Sequence, residues 1–315
     1  MSLLVGLQGL MSKRTRGYPA VWTQQTVWGA NIQRGVAFGN AAWAAVGDST
    51  DGLGYASVPT SWTQSGTPPY TTTQYGLDFT NGYFIVCPHS EDGSFAYATD
   101  PTGAFTTGTC TIARYAMSSG YDTNNSLYLI TGHGGDISTA ATLAGAWTAR
   151  TSNMGSSDIR GNATDGTTFV LCGDGGKLST ATNVSSTWTL HGTPGFGGDI
   201  IFDVAYDGSQ YFVAVGDNGK FAYCNGTPTG TWTQITGGDN PFGGTRIHSV
   251  AYGNGVWKAV AKSGKIATIT GAPTGTWSTE TSSFSSTDIY AIAYSSTQGV
   301  WTATGASGKI AIKAG

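Results

Sequence analysis

The sequence repeats itself with a period of 40 to 45 residues. An aromatic residue followed by Thr or Ser recurs seven times, at successive intervals of 40, 43, 42, 41, 44 and 45 residues. Its members are Trp22, Trp62, Phe105, Trp147, Trp188, Trp232 and Trp277. A second aromatic series leads into short β-branched runs, and its seven members are Trp43, Phe84, Tyr128, Phe169, Phe212, Trp257 and Trp301. A unit of this length cannot bury its apolar residues alone, so the period predicts repeats that pack against one another.

Each period divides into four short strand candidates, as in residues 247–252, 256–261, 265–270 and 276–280. The breaks between them read GNG, KSG and APTG, which supply residues that tolerate positive φ and a proline at the second position of a turn. Four strands in about 43 residues is the signature of a propeller blade. The sequence therefore predicts an all-β, seven-bladed β-propeller of four-stranded antiparallel blades.

The two ends of the chain complement each other. The last period stops after its third strand candidate, at residues 309–315, while AVWTQQT at residues 20–26 has the form of a fourth strand and precedes the first full repeat. We therefore expect this N-terminal strand to pair with residues 310–313 and complete the last blade, which removes two exposed sheet edges.

Composition supports this fold and excludes several functions. Glycine is frequent, with 48 residues, and opposes long helices. Only 10% of residues are charged and the net charge is -3, which disfavours nucleic-acid binding. The cysteines at 87, 110, 172 and 224 have no CxxC spacing, so we expect buried free thiols and neither disulfides, a metal site nor a cofactor. No apolar run is long enough to span a membrane.

The loops between second and third strands carry most of the acidic residues. In the first five repeats these are Asp48, Asp51, Glu91, Asp92, Asp136, Asp174 and Asp217, whereas the last two repeats have Lys262, Lys265 and Lys309. Two interpretations remain open. The loops form a charged binding face, or Asp, Asn and Gly are simply what tight hairpins need.

Arginines are predicted near the axial mouth on the same face of the ring. Arg34, Arg114, Arg160 and Arg246 each lie close to the start of a first strand, where together they would grip a carboxylate or, alternatively, form ion pairs at strand ends. Asp199, Asp203 and Asp288 lie near other first strands. The only glutamates are Glu91 and Glu280, and the four histidines fall on different blades without metal spacing, so we expect no catalytic site.

The aromatic series beginning at Trp22 also has two interpretations. Its members wedge between outer strands, or they form platforms for sugar stacking. Seven copies at equivalent repeat positions favour packing.

The phrase VAYGNGVWKAVAKSGKIATITGAPTGTWS, residues 250–278, resembles repeats of BNR or Asp-box propellers, particularly those of tailed-bacteriophage structural proteins. The resemblance covers residues 18–315. It implies a virion protein of the tail or capsid, assembled in the bacterial cytoplasm, that serves assembly and host-surface attachment. The Asp-box pattern is degraded: TDPTGAF at residues 99–105 keeps its Asp, while TPTGTW and APTGTW do not. This departure disfavours sialidase-like catalysis, which remains the third hypothesis after a glycan-binding lectin.

Residues 1–17 lie outside the repeats and are predicted to form a separate arm. The arm combines apolar with basic residues: Leu3, Leu4, Val5, Leu7, Leu10, Lys13, Arg14 and Arg16. It either docks into another virion protein, gaining order on binding, or is a disordered tail.

Overall fold

Each sequence repeat folds into one four-stranded antiparallel sheet in the computed structural model, which describes residues 17–25, 31–48, 52–66, 68–192 and 195–315. Seven such sheets form the blades of a seven-bladed β-propeller, as the sequence predicts. Blade 1 contains β2 (Gln33–Gly39), β3 (Ala42–Gly47), β4 (Leu53–Ala56) and β5 (Thr63–Gln64). Blade 2 contains β6 (Gln74–Thr80), β7 (Tyr83–Pro88), β8 (Ser94–Ala98) and β9 (Thr106–Thr109). Blade 3 contains β10 (Ala116–Asp122), β11 (Leu127–Gly132), β12 (Asp136–Ala140) and β13 (Thr148–Thr151).

The remaining blades follow the same order. Blade 4 contains β14 (Ile159–Thr164), β15 (Phe169–Gly173), β16 (Leu178–Ala181) and β17 (Thr189–His191). Blade 5 contains β18 (Ile201–Tyr206), β19 (Tyr211–Gly216), β20 (Phe221–Asn225) and β21 (Trp232–Gln234). Blade 6 contains β22 (Ile247–Gly253), β23 (Val256–Ala261), β24 (Ile266–Thr270) and β25 (Ser278–Glu280). Blade 7 contains β26 (Ile289–Ser295), β27 (Val300–Gly305), β28 (Ile310–Ala314) and the N-terminal strand β1 (Thr23–Gln25).

The predicted closure of the ring is confirmed. Strand β1 pairs antiparallel with β28, and Thr23 lies opposite Ile312 while Gln25 lies opposite Ile310. The two chain ends therefore share one sheet, and the outer edge of blade 7 is supplied by the N-terminal segment.

The hydrophobic core is divided among the interfaces between blades. The described residues form seven apolar clusters, each shared by two neighbouring blades, including the pair of blades 7 and 1. The second aromatic series fills these interfaces, and every member is at most 5% exposed. Burying each of these large side chains contributes roughly 2–3 kcal/mol to the stability of the fold. A blade therefore depends on its neighbours for its stability.

The other aromatic series also serves packing. Trp22, Trp188 and Trp277 are buried, and the remaining four members are half-buried. Several indole N–H groups donate to the proline turn of their own repeat: Trp62 to the Pro59 carbonyl at 2.8 Å, Trp232 to Pro228 at 3.1 Å and Trp277 to Pro273 at 3.2 Å. This use of the polar edge supports the packing interpretation over sugar platforms.

A lysine at the start of the third strand anchors the loop that enters its blade. Lys177 donates to the Met154 carbonyl at 2.7 Å, Lys220 to Phe196 at 2.6 Å, Lys265 to Phe242 at 3.1 Å and Lys309 to Phe284 at 3.0 Å. The anchored residues in these loops are themselves fully buried. These lysines therefore stabilise the blade connections, and Lys265 and Lys309 do not form a free charged face.

Glycine recurs at the end of the second strand because the entering loop approaches it closely. A Cβ added at Gly216 would lie 2.1 Å from the Ile200 carbonyl oxygen, and one at Gly173 would lie 1.9 Å from that of Asp158. Neither distance leaves room for a side chain.

All four cysteines are buried free thiols, as predicted. Within the described part of the chain, no helix is long and apolar enough to cross a membrane.

A buried charge cluster joins blade 6 to both chain ends. Glu280 accepts a hydrogen bond from the indole of Trp22 at 2.6 Å and pairs with Lys313 at 2.9 Å and with Lys258. The side chains of Lys258 and Glu280 are 4% and 11% exposed. Burial alone would raise the pKa of Glu280, but the hydrogen bonds from Lys258 and Lys313 outweigh it and hold that pKa below its usual value.

Glu280→Gln is predicted to lower the free energy of unfolding by about 3 kcal/mol, because it leaves Lys258 charged, buried and without a counter-charge. Urea denaturation of the full chain at pH 7 measures this, with Glu91→Gln, at the exposed glutamate, as the matched control. The folded-state pKa of Glu280 is depressed. Its contribution to the free energy of unfolding is therefore present above the unfolded pKa of about 4.3 and disappears as the pH falls through the folded value. The stabilities of the wild type and of Glu280→Gln should therefore converge at acidic pH. Equal stability of these two proteins at pH 7 would contradict the account.

Candidate functional site

The axial channel is the cavity that all seven blades build. It has a volume of about 500 Å³ and is lined by the first strand of each blade. Three of the four predicted arginines, Arg34, Arg160 and Arg246, line it together with Asp203. The fourth, Arg114, is exposed and lies outside the lining.

Every first strand turns one extra side chain into this channel. The pairing of first and second strands skips one residue near the start of each blade, which is a β-bulge. The residue before each bulge is fully buried, whereas the bulged residue lines the channel. The seven bulged residues, called the bulge ring here, are Arg34, Tyr75, Met117, Arg160, Phe202, His248 and Tyr290, and all of them line the channel.

The bulge ring is chemically varied, whereas the packing position at the start of the second strand is aromatic in every repeat. Packing between blades constrains the flanking positions, but the bulge faces open space and tolerates any side chain. The concentration of arginine, aromatic and histidine residues at this ring therefore identifies the end of the channel as the candidate site.

The channel arginines are held by acidic residues on their outer side. Arg34 Nε donates to Asp48 at 2.8 Å, and Arg246 pairs with Asp217 of the preceding blade. Arg160 bonds Asp174 through two nitrogens, at 2.8 and 3.1 Å, and Asp158 at 3.1 Å. The loop acids of blades 1, 4 and 5 therefore orient the arginines, which joins the two predicted sets of residues and favours the ion-pair interpretation.

The remaining acidic residues bind groups in turns and in the loops that enter the blades. Asp92 is exposed, and its side chain accepts hydrogen bonds from Ser90 and, at 3.0 Å, from the Ser94 amide, which lower its pKa. Asp136 accepts from the Ala113 amide at 3.1 Å. Asp199 pairs with Lys220 at 2.8 Å, and Asp51 lies outside the described residues. For these acids the structure favours turn and loop chemistry, and no cluster of metal-ligating residues occurs in the described ranges.

A belt of aromatic rings and guanidinium groups in mutual contact follows the channel mouth. The Arg246 guanidinium lies 4.8 Å from the Phe202 ring, and His248 lies 5.6 Å from Phe202 and 4.8 Å from Tyr290. Arg34 lies 5.7 Å from both Tyr290 and Tyr75.

The belt continues into blades 2 and 3. Tyr75 contacts His89 at 5.2 Å, His89 contacts Tyr115 at 3.9 Å, and Tyr115 contacts His133 at 5.6 Å. Three of the four histidines, which are scattered in the sequence, therefore lie along one end of the ring. The aromatic residues of this belt were not predicted from the sequence.

Two carboxyl groups in the channel wall join neighbouring blades. Asp78 accepts from the amide and hydroxyl of Ser119 at 2.7 and 3.0 Å, and Asp203 accepts from Ser249 at 2.9 Å and Val250 at 3.0 Å. Burial away from water raises the pKa of each carboxyl group to about 6, although these hydrogen bonds act to lower it. Asp78 was missed in the sequence, although it replaces an alanine that most repeats have at this position.

Comparisons with known proteins agree with the architecture. No protein-family model and no curated protein matches the chain. YCF48 from Cyanidioschyzon merolae is similar in structure, with a TM-score of 0.70, 14% identity and coverage of 94% of this chain and 98% of that one. These likenesses establish the fold alone.

Two further solved structures are similar over nearly the whole ring. The WD40 repeats of RRP9 align with a TM-score of 0.74 and 10% identity, covering 94% of this chain and 98% of that one. A catalytically inactive virginiamycin B lyase from Staphylococcus aureus, solved with quinupristin, aligns with a TM-score of 0.76 and 12% identity over 93% and 98%. One fold thus carries both enzymes and repeat scaffolds, so function has to be argued from the site.

Asp203→Asn is predicted to flatten the pH dependence of stability between pH 4.5 and 7.5. The folded pKa of about 6 lies above the unfolded value, so this group's contribution is complete at low pH and is lost as the pH rises through 6. The wild type should lose up to about 2 kcal/mol from this group over that range, less where channel water reaches it.

Urea unfolding at pH 4.5 and at pH 7.5 measures the difference in the free energy of unfolding between the two pH values. A loss of stability that is the same at both pH values cancels in this difference. Asp92→Asn is the control, because the pKa of Asp92 is lowered, so its contribution to stability changes mainly below this pH range and the substitution should leave the pH dependence nearly unchanged. An unchanged pH dependence for Asp203→Asn would refute the role of the buried carboxyl.

Proposed function

We propose that the protein is a non-enzymatic structural protein of a tailed-phage virion, in which the propeller is a rigid disc for assembly and its channel end faces the host surface. The resemblance of residues 250–278 to phage propeller repeats supports the virion role. One observation carries the non-enzymatic part: the two carboxyl groups that line the channel, those of Asp78 and Asp203, are occupied by contacts that join neighbouring blades.

Those contacts leave little for catalysis. Asp203 and Asp78 bind the next blade through backbone amides, and Glu280 is buried at the closure between two lysines. A glycosidase needs one carboxyl group free to donate a proton and a second free to activate water or attack the sugar. Carboxyl groups that are already bound to backbone amides are better suited to linking two blades than to acting as the acid, base or nucleophile of a glycosidase.

The arm of residues 1–17 is proposed to dock into a neighbouring virion protein. Residues 1–16, which contain all the apolar and basic residues predicted to dock, lie outside the described residues. The described chain begins at Gly17, shortly before Trp22 and β1 join the ring at its outer edge. The attachment of the arm at this edge supports its proposed contact with an adjacent subunit outside the channel.

Deletion of residues 1–16 is predicted to abolish incorporation into particles while leaving the melting temperature unchanged, because β1 and Trp22 are retained. Mass spectrometry of gradient-purified virions from the encoding phage measures incorporation. The matched control is replacement of the three basic residues Lys13, Arg14 and Arg16 by Gln, which retains the apolar docking residues and should reduce incorporation less. Absence of the full-length chain from virions would overturn the proposed function, and full incorporation of the deletion variant would overturn the role of the arm.

A further inference from the structure

One lysine at the channel has no partner in the part of the chain that the structure describes. Lys177, Lys220, Lys258, Lys265, Lys309 and Lys313 all donate to a carbonyl or carboxylate oxygen. Lys262 makes no such side-chain contact, yet it is half-buried and lines the channel. It occupies the first turn position after the second strand, where blades 4 and 5 have Asp174 and Asp217. Blade 6 thus replaces an arginine-pairing acid with a free cation.

His248 lies beside this cation with an unused nitrogen. Its Nε2 atom is buried and has no hydrogen-bond partner among the described residues. Burial lowers the pKa of His248 to about 4, and the positive charges of Arg246, Lys262 and Arg34 contribute in the same direction against Asp288. The imidazole is therefore neutral at physiological pH and lies in a net positive field.

The guanidinium groups around it retain unused donors. Arg246 reaches Asp217 through Nε and Nη2, and Arg34 reaches Asp48 through Nε. In each case Nη1 has no acceptor among the described residues, while the paired acid fixes the orientation of the group. Preoriented donors of this kind bind a carboxylate with little loss of side-chain entropy.

Flat rings and small polar groups complete the pocket. Phe202 and Tyr290 stand on either side of His248, and Ser249 and Asn162 also line the cavity. Ring faces pack against the C–H surface of a sugar, and hydroxyl and amide groups exchange hydrogen bonds with its hydroxyls. The 500 Å³ volume has room for a small ligand of one or two sugar rings.

We propose that the channel sector formed by Arg34, Phe202, Arg246, His248, Lys262 and Tyr290 binds a sugar acid, with the carboxylate at Lys262 and the arginine Nη1 groups and the sugar ring against the aromatic side chains that face the channel. A single negative charge fits better than a phosphate dianion, because Asp203 and Asp78 lie in the same channel wall. This proposal rests on the proposed attachment role and names the chemistry that the host surface would present.

Ligand-observed NMR titration of the full chain tests the proposal with three sugar acids: glucuronate, galacturonate and N-acetylmuramate. Their neutral counterparts are glucose, galactose and N-acetylglucosamine. At least one acid should bind ten-fold more tightly than its neutral counterpart, and binding should weaken as salt rises. Lys262→Gln should weaken that binding at least ten-fold, and His248→Phe, which keeps the ring but removes the nitrogens, should weaken it as well.

Arg114→Gln is the matched control, since Arg114 is an exposed cation outside the channel lining, and it should leave binding unchanged. Unchanged melting temperatures establish that each variant folds. Equal affinity for acid and neutral sugars, unaltered binding by Lys262→Gln, binding only of a peptide with a free C-terminal carboxylate, or no binding of any acid would overturn the proposal. These results concern the isolated chain, so they leave virion incorporation, which tests the proposed function, as an independent measurement.

Discussion

The apolar interface between neighbouring blades is the contact on which the rest of the structure depends. A single four-stranded sheet exposes two apolar faces, so each blade is stable only when one neighbouring blade covers each face. The seven clusters that result form a closed series, and the one that closes it lies between blades 7 and 1, where Trp43, Val300 and Ile312 meet. Strand β1 and the Glu280 cluster reinforce blade 7 from its outer edge.

The same closure explains how a site arises at the axis. Interface packing fixes the aromatic residue of the second strand, so that position repeats in all seven blades. The bulge releases one side chain per blade from that constraint and directs it to the channel. Variation is therefore tolerated at the bulge ring, and function can change there without loss of the fold.

The sequence predicted the fold because its signals are repeated: Trp257 and its six equivalents, the glycine turns, and the strand at Trp22 that the last repeat lacks. The bulge ring as a whole was not predicted, although two of its members, Arg34 and Arg160, were among the arginines expected at the axial mouth. A signal was present, since Ile247 and Val250 are three residues apart instead of two, as are Ile289 and Ile292. The Glu280 cluster had no such signal, because its members are distant in sequence and occur once.

Native-state hydrogen exchange of the full chain tests the central claim of a closed, mutually supporting ring most directly. The account predicts that amides of β28 that lie between β27 and β1 open with the same free energy as those of β15 on the other side of the ring, because separating blade 7 exposes the faces of blades 6 and 1. Exchange of β1 and β28 at a clearly lower free energy, with blades 1 to 6 still fully protected, would contradict it.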